Sequence, residues 1–308
     1  MLFTKACLPC LFLLAPAATV ASRFERVLPR PAPGWLPGQR RAVVLIHGLY
    51  LHPFSADNVA RPLLRDWQTP RGRLARELAK DSDVYAFAYA QDVPVDAVAS
   101  GSTLLEEVRR LRRLGYREVV LVGHSAGGLV ARQLVEDHPD AGVTKVVQVC
   151  CPNGGSSWAK LTAVRKTQKV FLGSLTKEAR RGARAGARLP AGVVFVCVVG
   201  TGAGEGDGVV RRDCQWTADL RAQGVPALAL AATHPSAMRG GRGVALVAAL
   251  VRRRCPRWTT GQVELARKAI LEGREPAAER KRAKPGPAAG LTPAGPVPTV
   301  EGVRGKDR

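Results

Sequence analysis

The chain has 308 residues, 46% of them hydrophobic and 23% charged, which suits one large globular core and excludes a collagen-like or wholly disordered chain. Its 47 Lys and Arg against 25 Asp and Glu leave a formal charge of +22, so an anionic partner has to be considered. Nucleic acid is not the partner expected, because there is no zinc-finger spacing, no RNP-like aromatic motif and only 5% aromatic residues to stack on bases.

At the N-terminus, Lys5 precedes an apolar run over 6–20 that contains Pro9 and Pro16, and small residues follow at Ala21 and Ser22. This is the pattern of a secretory signal peptide with its cleavage site. Residues 1–22 are therefore expected to be a signal peptide, with an uncleaved membrane anchor as the alternative, and the protein to be secreted, periplasmic or attached to the cell envelope. Arg23, Glu25 and Arg26 then lead into Pro29, Pro31, Pro33 and Pro37, a stretch that does not read as a buried strand or helix.

From there short, continuous apolar runs alternate with amphipathic stretches, the pattern of a mostly parallel sheet flanked by helices. Strands are expected over 42–46, 84–89, 118–122, 145–150, 193–199 and 227–231. A helix is expected over 97–114, where Val98, Leu104, Leu105, Val108, Leu111 and Leu114 recur at helical spacing before Gly115. Further helices are expected over 128–137 and 244–254. Residues 156–190 break the alternation, being basic and helix-prone between two strands, and are expected to form a short helical cap insertion. The domain is expected to span 23–256, followed over 257–308 by a short helix and a disordered, basic Pro/Ala/Gly-rich tail. Among the seven Cys, Cys150, Cys151 and Cys197 lie in apolar runs and read as small buried hydrophobes, while Cys214 and Cys255 are the one pair worth testing for a bridge.

Gly123-His124-Ser125-Ala126-Gly127 fits G-x-S-x-G and sits where an apolar strand gives way to a helix. Glycines two positions either side of the serine fit a strained turn in which larger side chains would collide. The helix that follows directs free N–H groups toward the site, favouring negative charge there. A serine hydroxyl needs a base, and the base needs an orienting carboxylate. Both come later in the chain: Asp207 in a glycine-rich loop after the strand at 193–199, and His234 after the strand at 227–231. Glu205 and Asp213 compete for the acid's place, but Asp213 follows Arg211 and Arg212 and is more readily paired with them.

With His47-Gly48-Leu49 ending an earlier apolar strand, these motifs together resemble the α/β-hydrolase superfamily, in particular its lipase- and esterase-like serine hydrolases. The resemblance covers roughly residues 41–254 and matches the chain order Ser, Asp, His. It implies an α/β-hydrolase fold and a carboxylic ester hydrolase that works through an acyl-enzyme, with Ser125, Asp207 and His234 as its triad. An acyl-thioesterase, a phospholipase and a catalytically silent scaffold that binds lipid or a partner are the alternatives. By the same resemblance the oxyanion donors are the N–H groups of Leu49 and Ala126. Tyr50, Leu51, Phe54 and His124 are expected to contact substrate, and the apolar ones among them favour an acyl ester or lipid. The His47 side chain is expected only to brace its turn. No ligand cluster for zinc or calcium is apparent, so neither a metal nor a cofactor is expected. The basic cap, with Lys160, Lys166, Lys169, Arg180, Arg181 and Arg184 among apolar residues, is the candidate contact with an anionic membrane surface.

Overall fold

The computed structural model describes residues 19–28, 41–51, 58–160, 166–184 and 186–271. Seven strands form one sheet: β1 (Ser22–Leu28), β2 (Arg41–Ile46), β3 (Asp83–Tyr89), β4 (Glu118–His124), β5 (Lys145–Val149), β6 (Val194–Gly200) and β7 (Ala227–Leu230). Their spatial order is β1-β3-β2-β4-β5-β6-β7. The pairing is parallel throughout except for β1, which runs antiparallel to β3. The central strands are apolar without alternation because both faces are covered. Along β2, Ala42, Val44 and Ile46 join the core on one face while Val43 and Leu45 join the core on the other.

The helices are α1 (Arg73–Leu78), α2 (Val95–Gly101), α3 (Leu104–Arg113), α4 (Ala126–Asp137), α5 (Lys166–Gly173), α6 (Lys177–Arg180), α7 (Arg212–Gln215), α8 (Ala218–Ala222), α9 (Gly241–Arg252) and α10 (Thr260–Leu271). One face of the sheet is covered by α1 and α9, through Leu74, Leu78, Val247 and Val251. The other carries α2, α3 and α4, through Val98, Val108, Leu111 and Leu129. Among the described residues no helix is long and apolar enough to cross a membrane.

Several expectations need correction. The strand β1 was not expected, because only Val27 within it is buried and its charges break the apolar pattern. It is held by Phe24 stacked on Tyr85 at 5.3 Å and by an Arg26–Asp83 ion pair at 2.6 Å. The expected leader lies mostly outside the described residues, but Val20 is buried, its N–H bonds to Gly101 O at 2.8 Å, and Ala21 O accepts from Ala90 N at 2.8 Å. The helix expected over 97–114 is two helices, separated at Ser102 and Thr103, where Ser102 is extended (φ −97, ψ 172). The short helix expected after residue 256 is present as α10, but it belongs to the domain rather than lying beyond its edge: it buries Val263 and Ile270 in the same core, and Trp258 sets its ring edge-on to buried Trp216 at 6.2 Å. The thiols of Cys214 and Cys255 are unpaired.

Between β5 and β6 the described residues form a 3-10 turn (Ser157–Lys160), α5 and α6. Much of the expected basic face is spoken for. Arg180 is buried and paired with Asp96 at 2.8 Å, and Arg184 meets Glu136 and Asp137 at 2.6 and 2.7 Å. Their partners lie on other helices, which is why the segment looked unpaired in sequence. Lys166, Lys169 and Arg181 remain exposed, with Trp158 50% and Val170 49% exposed nearby in sequence.

Candidate active site

Strand β4 delivers Ser125 to the sheet's carboxyl edge, and α4 begins at the next residue. Ser125 has φ 53 and ψ −128, a conformation that costs a non-glycine residue about 1–3 kcal/mol and persists only where its surroundings enforce it. Those surroundings are backbone. Ser125 N–H bonds to Val149 O at 2.8 Å, and Ser125 O accepts from Gly128 N at 2.9 Å. A Cβ on Gly123 would lie 2.5 Å from Gly127 O, and one on Gly127 would lie 2.4 Å from both His47 O and Ile46 O. The two glycines are thus demanded by close approach of main chain to main chain.

The turn after β2 lies against the serine: a Cβ on Gly48 would come within 2.4 Å of Ser125 Cβ. The His47 ring stacks on Tyr89 at 4.5 Å; its Nδ1 donates to Gly48 O at 2.7 Å, and its Nε2 accepts the Tyr89 N–H at 3.3 Å. Those partners require the neutral Nδ1–H tautomer and make His47 a brace for the turn. Among the described residues, the N–H groups of Leu49 and Ala126 have no protein acceptor.

Asp207 is 1% exposed in the loop after β6. One carboxylate oxygen accepts from Val209 N and Val210 N, both at 2.8 Å, and the other accepts from His234 Nδ1 at 2.7 Å. The histidine is fixed a second time by its own N–H, which bonds to Asp207 O at 2.8 Å. Burial by itself would raise the Asp207 carboxyl, but the hydrogen bond and charge of His234 and the two backbone N–H groups outweigh it and hold the group below the usual carboxylate range. With Nδ1 bearing the proton, Nε2 is the basic nitrogen. Glu205 and Asp213 are elsewhere, both paired with exposed Arg211.

His124 packs behind His234, with ring centroids 4.7 Å apart, and its Nε2–H donates to His234 O at 3.1 Å. Burial, and then the proximity of His234, push its pKa down to about 3, so it stays neutral near pH 7. Among the described residues one group has metal-type ligands: His124, Cys150 and His234, with ligand atoms within 4.8 Å of one another. In this group His234 Nδ1 and His124 Nε2 are engaged as donors, and burial pushes the Cys150 thiol up.

Ser125 and His234 line one cavity of about 160 Å³, walled mainly by apolar groups that include Leu49, Leu51, Pro152, Leu172 and Val210. Of the residues expected to contact substrate, Leu51 is there. Tyr50 is not: it is 42% exposed, with the Arg65 guanidinium 3.5 Å above its ring. His124 is also outside the lining, turned toward the backbone of His234. Phe54 lies outside the described residues. Trp158, Leu172 and Leu175 line the cavity from the segment after β5, where sequence gave no sign that they face the serine.

No protein-family model matches this sequence, and comparison with curated proteins finds no match. Solved structures do resemble it. The mature form of Bacillus licheniformis lipase BlEst2 is 16% identical, over 75% of this chain and 98% of that one, with a TM-score of 0.56. Phospholipase PlaB from Legionella pneumophila is 14% identical, over 76% of this chain and 64% of that one, with a TM-score of 0.52. Aspergillus fumigatus lipase B is 15% identical, over 79% and 60%, with a TM-score of 0.50. At such identities the likeness is one of architecture. The chain has the α/β-hydrolase fold.

Proposed function

We propose that the protein hydrolyses carboxylic esters through an acyl-enzyme, with Ser125 as nucleophile, His234 as general base and then acid, and Asp207 as the group that orients His234. The observation that carries this reading is the 2.7 Å bond between His234 Nδ1 and the buried Asp207 carboxylate, with His234 and Ser125 on one apolar cavity. His234 Nε2 takes the hydroxyl proton as Ser125 Oγ bonds to the ester carbonyl carbon. The resulting oxyanion is held by the N–H groups of Leu49 and Ala126, and each such donor is worth about 3–4 kcal/mol of barrier. Collapse breaks the bond to the alcohol oxygen, which leaves with the proton from His234; water then repeats the sequence on the acyl-enzyme.

The apolar cavity wall supports an acyl group as the part of the substrate that is bound. Exposed Lys166 and Lys169, with Trp158 and Val170, support contact with an anionic lipid surface, and the apolar run over 6–20 supports export. The deciding experiment is a fluorophosphonate label together with a panel of p-nitrophenyl esters, one phospholipid and one acyl-thioester. The native protein is expected to label at Ser125 and turn over at least one ester. Ser125→Ala should lose about 10⁴-fold or more in kcat while remaining folded. Full activity in Ser125→Ala would sink the assignment.

A further inference from the structure

The turn that carries Leu49 is gripped by two buried glutamines. Gln91, 3% exposed, donates through Nε2 to Gly48 O at 3.0 Å and accepts the Tyr50 N–H on Oε1 at 3.0 Å. Gln168, fully buried on α5, donates through Nε2 to Tyr50 O at 2.5 Å and to Gln91 Oε1 at 3.1 Å. Leu49 is therefore clamped on both sides while its own N–H is left without a protein acceptor among the described residues. The Gly48–Leu49 peptide is a rigid plane in which a trans N–H points opposite to the C=O. Fixing Gly48 O, which receives donors from both Gln91 and His47, thus fixes the direction of the Leu49 N–H.

The second glutamine adds a link to the substrate. On α5, Gln168 holds the turn, Phe171 packs on Tyr89 at 6.0 Å, and Leu172 lines the cavity shared by Ser125 and His234. Tyr89 in turn donates through its hydroxyl to His47 O at 2.9 Å. One short helix thus lines the cavity, holds the Tyr50 end of the turn directly and reaches its His47 end through Tyr89. We propose that Gln91 and Gln168 are positioning residues that aim the Leu49 N–H at the reacting carbonyl, and that α5 ties this aim to how fully an acyl chain fills the cavity. The inference rests on the ester-hydrolase reading. Its chemical consequence is that acyl binding energy is expressed in the transition state, so a longer chain raises kcat rather than lowering KM.

The test uses the full chain with p-nitrophenyl acetate, butyrate, hexanoate and octanoate, comparing the native protein with Gln168→Met and Leu172→Ala. In the native protein kcat is expected to rise about tenfold or more from acetate to its best ester, with KM changing less than about threefold. In Gln168→Met the rise should shrink below about threefold, and kcat on that ester should fall by about thirtyfold. Gln168→Met has nearly the same length but no donor; if it does not fold, Leu172→Ala, which leaves the clamp intact, should by itself flatten the dependence on chain length. A purely structural role would lower stability and active fraction alike for every ester and leave the rise unchanged. Retention of the native rise in the folded variants overturns this proposal alone. Absence of both ester turnover and Ser125 labelling in the native protein overturns the ester-hydrolase reading and this inference with it.

Discussion

Two turns meet at the cavity, and they are held in different ways. The turn at Ser125 is fixed by main chain on main chain: its N–H reaches Val149 O, and Gly123 and Gly127 let neighbouring backbone approach to distances no side chain allows. The turn at Leu49 is fixed by side chains from distant parts of the chain, namely Tyr89, Gln91 and Gln168. The first is a local property of five residues. The second is assembled only when β3, α5 and the loop after β2 have docked.

The sharpest way to break the first turn is Gly127→Ala, because the added carbon would meet two backbone oxygens that cannot move independently. A loss of at least about 2 kcal/mol in unfolding free energy is expected, together with loss of fluorophosphonate labelling. Native-like stability in a urea titration would show that the turn is looser than its contacts imply. Next comes the acid loop. Asp207→Asn should cost about a hundredfold or more in kcat with KM little changed, whereas Asp213→Asn, paired only with exposed Arg211, should cost less than about threefold. A larger loss at Asp213 would move the acid's role there. For the second turn, Gln91→Leu should lower kcat by about tenfold while labelling of Ser125 persists, separating aim of the oxyanion donor from presence of the nucleophile.

The last effect is one of pH and leaves activity near pH 7 unchanged. His124 in the folded protein has its pKa pushed down to about 3, whereas unfolded histidine titrates near about 6.5, so the unfolded chain takes up the proton first. Stability should therefore fall as pH drops below about 6.5, by at most about 1.4 kcal/mol per pH unit from this group. Asp207, whose carboxyl is held low, adds its loss only below about pH 4, as it protonates. Chemical denaturation between pH 6.5 and about 4.5 should accordingly show a shallower slope in His124→Phe than in the native protein. Equal slopes would mean that His124 is not kept neutral by its burial.

Legibility in the sequence followed the same division. The six parallel strands and the serine turn were readable because each depends on a short contiguous pattern, apolar runs buried on both faces or glycines at fixed offsets. The meeting of Asp207 with His234 was readable because glycines flank the acid and both residues follow strands. The glutamine clamp was not readable: Gln91 lies in a polar loop and Gln168 in a basic segment, and only docking buries them. Likewise Arg180 and Arg184 read as solvent charges until Asp96, Glu136 and Asp137 met them from other helices. Tyr50 lies between two residues of the cavity wall, Leu49 and Leu51, yet adjacent residues of a turn need not face the same way. The helix break at Ser102 and Thr103 was hidden because apolar spacing continues across it.

The strand β1 has a further consequence for how the molecule behaves at high concentration. An outermost strand exposes a row of unsatisfied N–H and C=O groups, which can recruit a strand from another molecule. Here that margin carries Arg23 and Glu25, paired with each other, and Arg26, paired with Asp83. The opposite margin, β7, is four residues long and has α10 against it. A second sheet adding at β1 would have to strip water from these charges for little apolar return, so the residues that disguise the strand in sequence also protect the folded protein from edge-to-edge aggregation.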